Sequence, residues 1–486
     1  MIDVRSWTQR IADTTSEFAL PLIEEALWND LLRPAAIRQI ERRVIAEMER
    51  EQNPDHPPRA REDRADMVRA LLESVKRSLD RGVMSRRALH GALKTFNNVS
   101  FLQDSAARDA ARRFAERHGG QTPPGTLVVS PTRTCNLHCD GCYANAAGEG
   151  GRLERAVFDR ILTEAETLWS LRFITISGGE PLAYRSEGQD LVEILSRHAQ
   201  CYFLVYTNGT LIDDRMAERI AAAGNITPAI SVEGFEARTD ARRGRGVFQR
   251  ILKAMAALRR VAVPFGVSLT VTRENAEEVF SDEFVDFCFE QQQATYGWIF
   301  QYMPIGRRRS LGLLPTPEQR LWMWRRIWQI IRERRIMLAD FWNCGTVTSG
   351  CMSAAKPSGY LYIDWDGKVM PCVFVPYSPA NLLDIYRRGG TLDDVYELPY
   401  FQAIRQWQRQ YNAAGGNWLL PCPLRDHYRA ARELIDRHHP EPEDEAARDA
   451  LQDESFRQGM IEYDERLYRE FDPVWEQEYL HSPVAK

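Results

Sequence analysis

This sequence of 486 residues lacks a secretion signal, a membrane-spanning segment, a large net charge and internal repeats. Residues 1–18 carry acids and arginines where a secretion signal needs an unbroken apolar stretch, and no later segment is apolar over the length of a membrane span. The net charge of -5 is small, so it gives no reason to expect a nucleic acid partner. Internal repeats are also missing. We therefore expect a cytoplasmic protein with no transmembrane segment and no nucleic acid partner.

Cysteine is scarce as well, with nine residues in the chain. Thiols in a reducing compartment do not form a disulfide framework, so clustered cysteines in such a protein indicate metal binding. Cys201 and Cys288 fall at the start of a predicted strand and within an apolar helical run, where we expect small buried residues. The other seven cysteines are candidate metal ligands.

The composition describes a folded protein of several parts. Hydrophobic residues make up 44% and charged residues 27%, which excludes wholesale disorder. The length exceeds what one hydrophobic core usually organises, so a central domain with appended parts is expected. Changes of pattern predict a helical region at 1–124, an α/β core at 125–340, a small cysteine-bearing domain at 341–430 and a charged helical tail at 431–486. A polar linker, HHPEPEDE, lies near the start of the tail.

Short β-branched and aromatic runs alternate with amphipathic helical segments after Gly125, as α/β units do. Six strands are predicted, at 126–131, 172–177, 201–206, 226–232, 265–271 and 298–304. Six such units fit a parallel (β/α)6 sheet, either a partial barrel of the TIM type or a doubly wound sheet. Both architectures place ligands at the carboxyl ends of the strands. We predict the partial barrel, with the helical N-terminal region and the small C-terminal cysteine domain attached.

Three cysteines follow the first predicted strand. Cys135, Cys139 and Cys142 have the spacing C-x3-C-x2-C, in the segment PTRTCNLHCDGCYAN. A cluster of four irons bound by three thiolates keeps one iron open for chemistry. A structural zinc site is the alternative, but it would normally have a fourth ligand in a second close pair, and His138 lies between two ligands in a tight loop. The triad therefore predicts an iron–sulfur cluster with an open iron.

Short polar segments end the next three predicted units. GGEP (178–181) follows the second strand, TNGT (207–210) the third and SVEG (231–234) the fourth. In this order, together with the cysteine triad, they resemble the signature of the radical S-adenosylmethionine superfamily. The resemblance implies that GGEP contacts the amino group of S-adenosylmethionine and that the later elements lie near its ribose and carboxylate. The implied cofactor-binding residues are Gly178, Gly179, Glu180, Pro181, Thr207, Asn208, Ser231 and Glu233.

The sequence departs from the family pattern at two positions. An aromatic residue usually precedes the third cysteine and lies against adenine, whereas this chain has Gly141 there and Tyr143 just after the cysteine. Glu233 stands where an aspartate is common. Neither change touches cluster ligation.

The resemblance implies an enzyme in which a [4Fe-4S] cluster reductively cleaves S-adenosylmethionine to a 5′-deoxyadenosyl radical that abstracts hydrogen from the substrate. It also implies an electron donor such as flavodoxin or ferredoxin. The substrate class stays open among a peptide, a cofactor precursor, a sugar and a lipid. The alternative from another class is a non-enzymatic iron–sulfur electron carrier or scaffold, which would not require the GGEP and TNGT elements.

A second set of cysteines lies between residues 341 and 430. Cys351 and Cys372 frame C-x15-G-x4-C, which resembles the opening of the SPASM and Twitch domains that carry auxiliary [4Fe-4S] clusters, and Asp366-Gly367 fits a hairpin turn between them. The resemblance implies one auxiliary cluster, whose predicted ligands are Cys344, Cys351, Cys372 and Cys422. Full ligation by these four suits electron transfer. Three thiolates without Cys422 would leave an open iron that suits substrate binding.

Two features bear on the substrate. Many peptide-modifying members of the family carry a winged-helix recognition domain, and residues 1–124 show no obvious β-hairpin for one. The basic run Arg307–Arg309 is either a solvated loop or a site for an anionic group of a lipid or phosphorylated substrate.

Overall fold

A computed structural model describes residues 19–50, 56–100 and 105–481. The predicted helical region at 1–124 and the predicted tail at 431–486 therefore extend outside the described residues, at 1–18, 51–55, 101–104 and 482–486. Helices dominate both regions where they are described. No described helix combines the length and the apolar character that a membrane span requires.

The α-helices, in chain order, are α1 (Ala19–Trp28), α2 (Arg33–Arg50), α3 (Pro58–Asp80), α4 (Arg86–Ser100), α5 (Ser105–Arg117), α6 (Arg155–Leu168), α7 (Leu191–Arg197), α8 (Asp214–Ala223), α9 (Glu236–Arg243), α10 (Val247–Arg260), α11 (Ala276–Val279), α12 (Asp282–Asp286), α13 (Pro317–Gln329), α14 (Leu382–Arg387), α15 (Pro399–Ala413), α16 (Pro423–Asp426), α17 (Tyr428–His438), α18 (Glu445–Gln452) and α19 (Glu454–Trp475). The strands are β1 (Leu127–Val129), β2 (Phe173–Ile176), β3 (Arg185–Ser186), β4 (Gln189–Asp190), β5 (Tyr202–Thr207), β6 (Ile226–Val232), β7 (Gly266–Val271), β8 (Tyr296–Gln301), β9 (Leu338–Asp340), β10 (Tyr362–Ile363), β11 (Lys368–Met370), β12 (Tyr377–Ser378), β13 (Ala380–Asn381) and β14 (Glu441–Pro442).

One sheet of ten strands organises the molecule, in the order β13-β11-β10-β1-β2-β5-β6-β7-β8-β9. The six predicted strands are β1, β2, β5, β6, β7 and β8, and each pairs in parallel with its neighbour in this order. Helices connect the successive strands, as parallel pairing requires. The predicted α/β fold with a parallel (β/α)6 core is confirmed.

Helix α10 illustrates how the spacing of apolar residues determines the secondary structure. Its buried residues Val247, Ile251, Ala254 and Leu258 recur at helical spacing and form one apolar face of an otherwise basic helix. The strands beneath are almost continuously buried: six of the seven residues of β6 are buried, which is typical of parallel strands covered on both faces.

Four further strands extend the sheet; the turn at Asp366-Gly367 predicted the hairpin of β10 and β11, whereas β9 and β13 were not predicted. β9 follows β8 in parallel, while β10, β11 and β13 come from residues 341–430 and join the other edge beside β1. They contain two or three residues each, too few for an alternating pattern to be visible in the sequence. The cysteine-bearing segment is therefore continuous with the core sheet.

The N-terminal helix α3 braces the segment around Cys344. Asp63 of this helix is fully buried and accepts hydrogen bonds from the hydroxyls of Thr346 (2.7 Å) and Tyr479 (2.8 Å). The guanidinium of Arg332 pairs with its other oxygen at 2.5 Å. One carboxylate thus joins the N-terminal region to the cysteine segment and to the C-terminal tail.

Candidate active site

The carboxyl ends of the parallel strands carry an accessible row of side chains. Tyr206, Ser231, Thr270 and Phe300 come from four neighbouring strands and are half-buried, whereas most other residues of β5, β6 and β7 are buried. The strand register places all four on one face, because Tyr206 pairs with Ala229, two residues before Ser231, and Thr270 pairs with Phe300. Their exposure marks the accessible carboxyl edge of the sheet, which we call the open edge.

Cys135, Cys139 and Cys142 lie at the same edge, in the cysteine loop (residues 130–154, between β1 and α6). All three are half-buried, and Cys135 is fixed by a backbone hydrogen bond from its amide to the carbonyl of Gly148. Three thiolates and no fourth cysteine in the loop fit three corners of a four-iron cluster. Among the described residues, no three His, Cys, Asp or Glu side chains converge closely enough to hold a single metal ion.

Burial and neighbouring charges act in opposite directions on the thiols of the triad. Burial raises the pKa of Cys135 to about 11, and the neighbouring carboxylate and thiolates add to this. Burial also raises the pKa of Cys139, but the guanidinium of Arg243 opposes it. This fixed positive charge beside the thiolates would stabilise them in the deprotonated form that binds iron.

The GGEP segment packs directly on the cysteine loop. A Cβ atom on Gly178 would lie 2.5 Å from the carbonyl oxygen of Thr132, and one on Gly179 would lie 2.4 Å from two carbonyl oxygens of the loop. The amide of Gly179 donates to Thr132 at 2.9 Å. Only glycine fits this approach, so the two glycines fix the position of the cysteine loop. The backbone of Gly179 is also half-exposed.

Glu180 connects the GGEP segment to the TNGT segment by hydrogen bonds. Its carboxylate is fully buried and accepts hydrogen bonds from the Thr207 hydroxyl (2.7 Å), the Asn208 amide (2.7 Å) and the Leu182 amide (3.1 Å). Burial raises the pKa of Glu180 above its usual range, although these donors act in the opposite direction. Both oxygens are therefore engaged by this chain, and contact with a ligand ammonium stays a prediction.

Asn208 reaches the cysteine loop. Its amide nitrogen lies 4.0 Å from the sulfur of Cys135 and donates to the side chain of Asn136 at 2.9 Å. Its oxygen accepts from the amide and the hydroxyl of Thr210. The GGEP, TNGT and cysteine segments thus form one hydrogen-bonded unit.

Glu233 is almost completely buried and is held by two arginines that sequence reasoning missed. Arg242 and Arg243, at the end of α9, both pair with its carboxylate. Arg242 also donates to the carbonyls of Asp140 (2.9 Å) and Gly141 (3.2 Å) in the cysteine loop. A buried carboxylate needs such partners, so the basic pair that follows SVEG in the sequence was the available signal. Ser231 is the half-buried side chain of this element.

The structure explains the departure at Gly141. Its φ of +64° lies in the left-handed region, and a Cβ there would lie 3.1 Å from the ring of Tyr302. Tyr143 takes a different position from the expected aromatic residue, because its hydroxyl hydrogen-bonds Ser177 (2.6 Å) and its ring contacts Phe374. It lies toward the β2 side of the open edge.

Arg307–Arg309 do not form an anion site, because all three guanidinium groups have partners in the chain. Arg308 pairs with Asp140, and Arg309 pairs with Asp453 at 2.9 Å. Arg307 donates to the carbonyls of Cys139 (2.8 Å) and Ala146 (2.9 Å), and its own amide donates to Cys142 (2.9 Å). It therefore fastens the cysteine loop from the end of β8.

Arg307→Gln should loosen the cysteine loop. Each lost hydrogen bond from the charged group costs about 1.5–3 kcal/mol, so iron bound at the loop should pass to a chelator about tenfold faster or more. The matched control is Arg309→Gln, whose ion pair lies outside the loop and whose release rate should equal that of the wild type. Equal rates for all three proteins would contradict the role given to Arg307.

The segments that carry the second set of cysteines converge. Burial raises the pKa of Cys372 and raises that of Cys422 to about 12; the charge of Cys351 adds to both shifts, and the charge of Asp426 adds to that of Cys422. The hydroxyl of Tyr360 lies 2.7 Å from the sulfur of Cys372. Three of the four predicted ligands thus lie near one another.

Cys344 is buried on the same side of the molecule. The next residue, Gly345, packs so closely on the carbonyl of Trp418 that a Cβ would lie 2.2 Å from that oxygen. The charged groups that act on the Cys344 thiol are Asp340, Asp63 and Arg332. The structure therefore brings the Cys344 segment to the Cys422 segment, and ligation by Cys344 stays a prediction.

An aromatic layer separates the two cysteine groups. The ring of Phe374 lies 5.9 Å from Tyr143, which follows Cys142, and 5.1 Å from Trp342, which lies beside Cys422. Phe341 contacts both Phe374 (5.7 Å) and Phe300 (5.6 Å). These rings form an apolar wall along the open edge of the sheet, which limits the entry of water.

Comparison with known proteins identifies the domain. Residues 129–283, which include the cysteine triad and the three polar elements, match the radical SAM superfamily. This chain carries a radical SAM domain. The enzyme class, the use of S-adenosylmethionine and the use of a [4Fe-4S] cluster, all predicted from the motifs, are confirmed. The non-enzymatic carrier is therefore set aside.

Two relatives match this chain over most of their own length. The AdoMet-dependent heme synthase of Methanosarcina barkeri is 26% identical over 292 residues, covering 53% of this chain and 79% of that protein. The mycofactocin maturase MftC of Mycobacterium ulcerans is 27% identical over 303 residues, covering 60% and 79%. SuiB of Streptococcus suis bound to S-adenosylmethionine has the same fold, with a TM-score of 0.50, 19% identity and coverage of 71% of this chain and 83% of that chain.

Proposed function

We propose that this radical SAM enzyme modifies a peptide or a cofactor precursor at the carboxyl edge of the sheet, with Cys135, Cys139 and Cys142 as the ligands of the catalytic cluster. One observation carries the proposal: hydrogen bonds through the Glu180 carboxylate and Asn208 connect the GGEP and TNGT segments to the cysteine loop. The names of the relatives, a heme synthase and a mycofactocin maturase, support the substrate class.

When bound, the cluster and S-adenosylmethionine supply the electron and the 5′-deoxyadenosyl radical that removes a hydrogen atom from the substrate. The residues of this chain provide the surroundings. Ser231 and the backbone of Gly179 are the accessible groups of the predicted cofactor-binding residues, and we propose that they contact and orient S-adenosylmethionine. Arg243 offsets negative charge at the triad. The aromatic layer shields the edge from water.

We also propose an auxiliary [4Fe-4S] cluster bound by Cys344, Cys351, Cys372 and Cys422, within a part of the chain that spans residues 341–430. The mutual approach of Cys351, Cys372 and Cys422 supports it. The donor set is all thiolate, which suits iron–sulfur chemistry. A small electron-transfer protein such as flavodoxin or ferredoxin is the proposed source of electrons.

Anaerobic reconstitution with iron and sulfide, followed by dithionite and S-adenosylmethionine, tests the proposed function. We expect 5′-deoxyadenosine to form, with one molecule of methionine released for each. Fully loaded protein that forms no 5′-deoxyadenosine would rule out the proposal.

A further inference from the structure

Three neighbouring strands place polar side chains on the inner face of the sheet, beside the cysteine loop. Val129 of β1 and Ile363 of β10 are fully buried on the outer face, so the residues that alternate with them face inward. At the carboxyl ends these are Ser130 and Asp364, which are 0% and 1% exposed. Ser177, at the end of β2, lies on the same face and holds the hydroxyl of Tyr143. A polar row thus continues the accessible row of β5–β8.

Glu443 reaches this row from the C-terminal tail. The segment predicted as a polar linker is in fact docked, because β14 pairs with β12 and the amide of Glu443 donates to the carbonyl of Pro376 at 2.9 Å. Lys368 fixes the arrangement: its amide donates to the Asp364 carboxylate (2.8 Å), while its ammonium reaches Glu441 (3.0 Å) and the carbonyl of Glu443 (3.4 Å). Asp364 and Glu443 form what we call the acid pair.

The acid pair lacks a full set of opposite charges. Burial, together with the neighbouring Asp366, raises the pKa of Asp364 to about 7. Burial and the charge of Asp364 raise the pKa of Glu443 well above its ordinary value. The other charged groups that face the pair are Asp444, Lys368 and Arg133; the Lys368 ammonium is directed to Glu441 and to backbone carbonyls, and Arg133 donates to the carbonyl of Asn145.

Two buried hydroxyls beside the acid pair add a second, independent observation. Tyr362 is 1% exposed and Ser130 is 0% exposed; within the described part of the chain neither hydroxyl makes a hydrogen bond of ordinary geometry, and the two lie beside each other. Tyr362 lies two residues before Asp364 on the same face of the sheet, and burial together with the charges of Glu443 and Asp364 raises its pKa. Buried polar atoms are nearly always paired, and these hydroxyls have the capacity for a further polar partner.

We propose that Asp364 and Glu443, with the Tyr362 hydroxyl, form a subsite that binds a cationic nitrogen group of the substrate, an ammonium or a guanidinium. The cysteine loop follows β1 and the predicted cofactor elements follow β2, β5 and β6, so the end of β10 is left to receive the substrate. Such a cation supplies the charge that the acid pair lacks and the donors that the hydroxyls lack. A basic group of a peptide has this chemistry, whereas a precursor rich in carboxylates would be repelled here.

The inference rests on the proposed function only in naming the cation as part of the substrate, so binding is tested separately from catalysis. The probes are n-butylammonium, n-butylguanidinium and neutral n-butanol, titrated calorimetrically into the reconstituted enzyme loaded with S-adenosylmethionine. Two buffers of different ionisation enthalpy measure the protons released. We expect the cations to bind with release of up to about one proton, and n-butanol to bind about tenfold more weakly or worse.

Glu443→Gln and Asp364→Asn should each weaken cation binding about tenfold or more and remove the proton release. Asparagine keeps the oxygen that accepts the turn amides, so the hairpin is retained. Tyr362→Phe, which changes only the hydroxyl, should weaken binding about fivefold. The matched control is Glu445→Gln, an exposed carboxylate two residues beyond Glu443, which should bind as the wild type does.

Equal cation binding by the wild type and the Glu443→Gln enzyme would overturn the subsite, and so would equal binding of n-butanol and the cations. Formation of 5′-deoxyadenosine by the wild type, measured without probe in the same preparations, reports on the proposed function. Its absence together with the expected cation binding would reject the proposed function and leave the subsite in place.

Discussion

Replacing Cys139 by alanine is expected to reduce 5′-deoxyadenosine formation to the level of a protein-free control. A cluster of four irons needs all three thiolates of the triad to leave a single open iron, and two thiolates leave two irons exposed to loss. Cys139 is also fixed by the hydrogen bond from Arg307 to its carbonyl, so no other cysteine of the loop can take its place. The measurement is the yield of 5′-deoxyadenosine per chain after anaerobic reconstitution.

The matched control is Cys288→Ala. Cys288 is 1% exposed in an apolar segment and takes no part in either cysteine group, so this variant should keep its iron content and its yield. A Cys139→Ala protein that still forms 5′-deoxyadenosine at the rate of the Cys288→Ala protein would remove the triad from the proposed catalytic site.

The second large effect is on stability. Asp426, which is completely buried, pairs with Arg320 at 2.6 Å and with Arg425 at 3.2 Å, and it accepts the backbone amide of Cys422 at 2.9 Å. Asp426→Ala leaves two buried guanidinium groups without their carboxylate. Removing one partner of a buried pair typically costs about 3–5 kcal/mol, and we expect that loss in the free energy of unfolding measured in urea. The auxiliary site should also lose iron, because Cys422 loses its support.

The control is Asp436→Ala, which removes an exposed carboxylate paired with Arg432 and should cost less than about 1 kcal/mol. Although burial acts in the opposite direction, Arg320 and Arg425 lower the pKa of Asp426 from 3.8 to about 2. The stabilisation is therefore present above pH 3.8 and is lost as the pH falls through about 2. A difference between the two variants of less than about 1 kcal/mol would contradict the account of this pair.

The core fold and the cysteine positions could be predicted because each has a local signal. Strands such as β5 and β6 are apolar runs of six or seven residues between turn residues, and helix α10 has a clear 3.6-residue period. The cysteine spacing and the order of GGEP, TNGT and SVEG are visible without knowledge of the fold. The pattern of strand and helix then places all of them at one edge of a parallel sheet.

The remaining parts of the site depend on contacts between distant residues. Arg307 looked like part of a solvated or anion-binding run, but its guanidinium fills the hydrogen-bonding needs of a loop more than 150 residues earlier, with a sequence separation of 168 from Cys139. Glu443 lay in a segment read as a linker, because strands of two residues such as β14 have no periodicity. No local pattern reports that β10 pairs with β1, which brings Asp364 beside Ser130.

The central claim is that the cysteine triad binds a cluster to which S-adenosylmethionine has access. Electron paramagnetic resonance of the dithionite-reduced, reconstituted enzyme tests it most directly, before and after addition of S-adenosylmethionine. We predict that the signal of one cluster changes on addition, and that this change is absent from the Cys139→Ala protein. A fully loaded wild-type enzyme whose spectrum is the same with and without S-adenosylmethionine would contradict the claim.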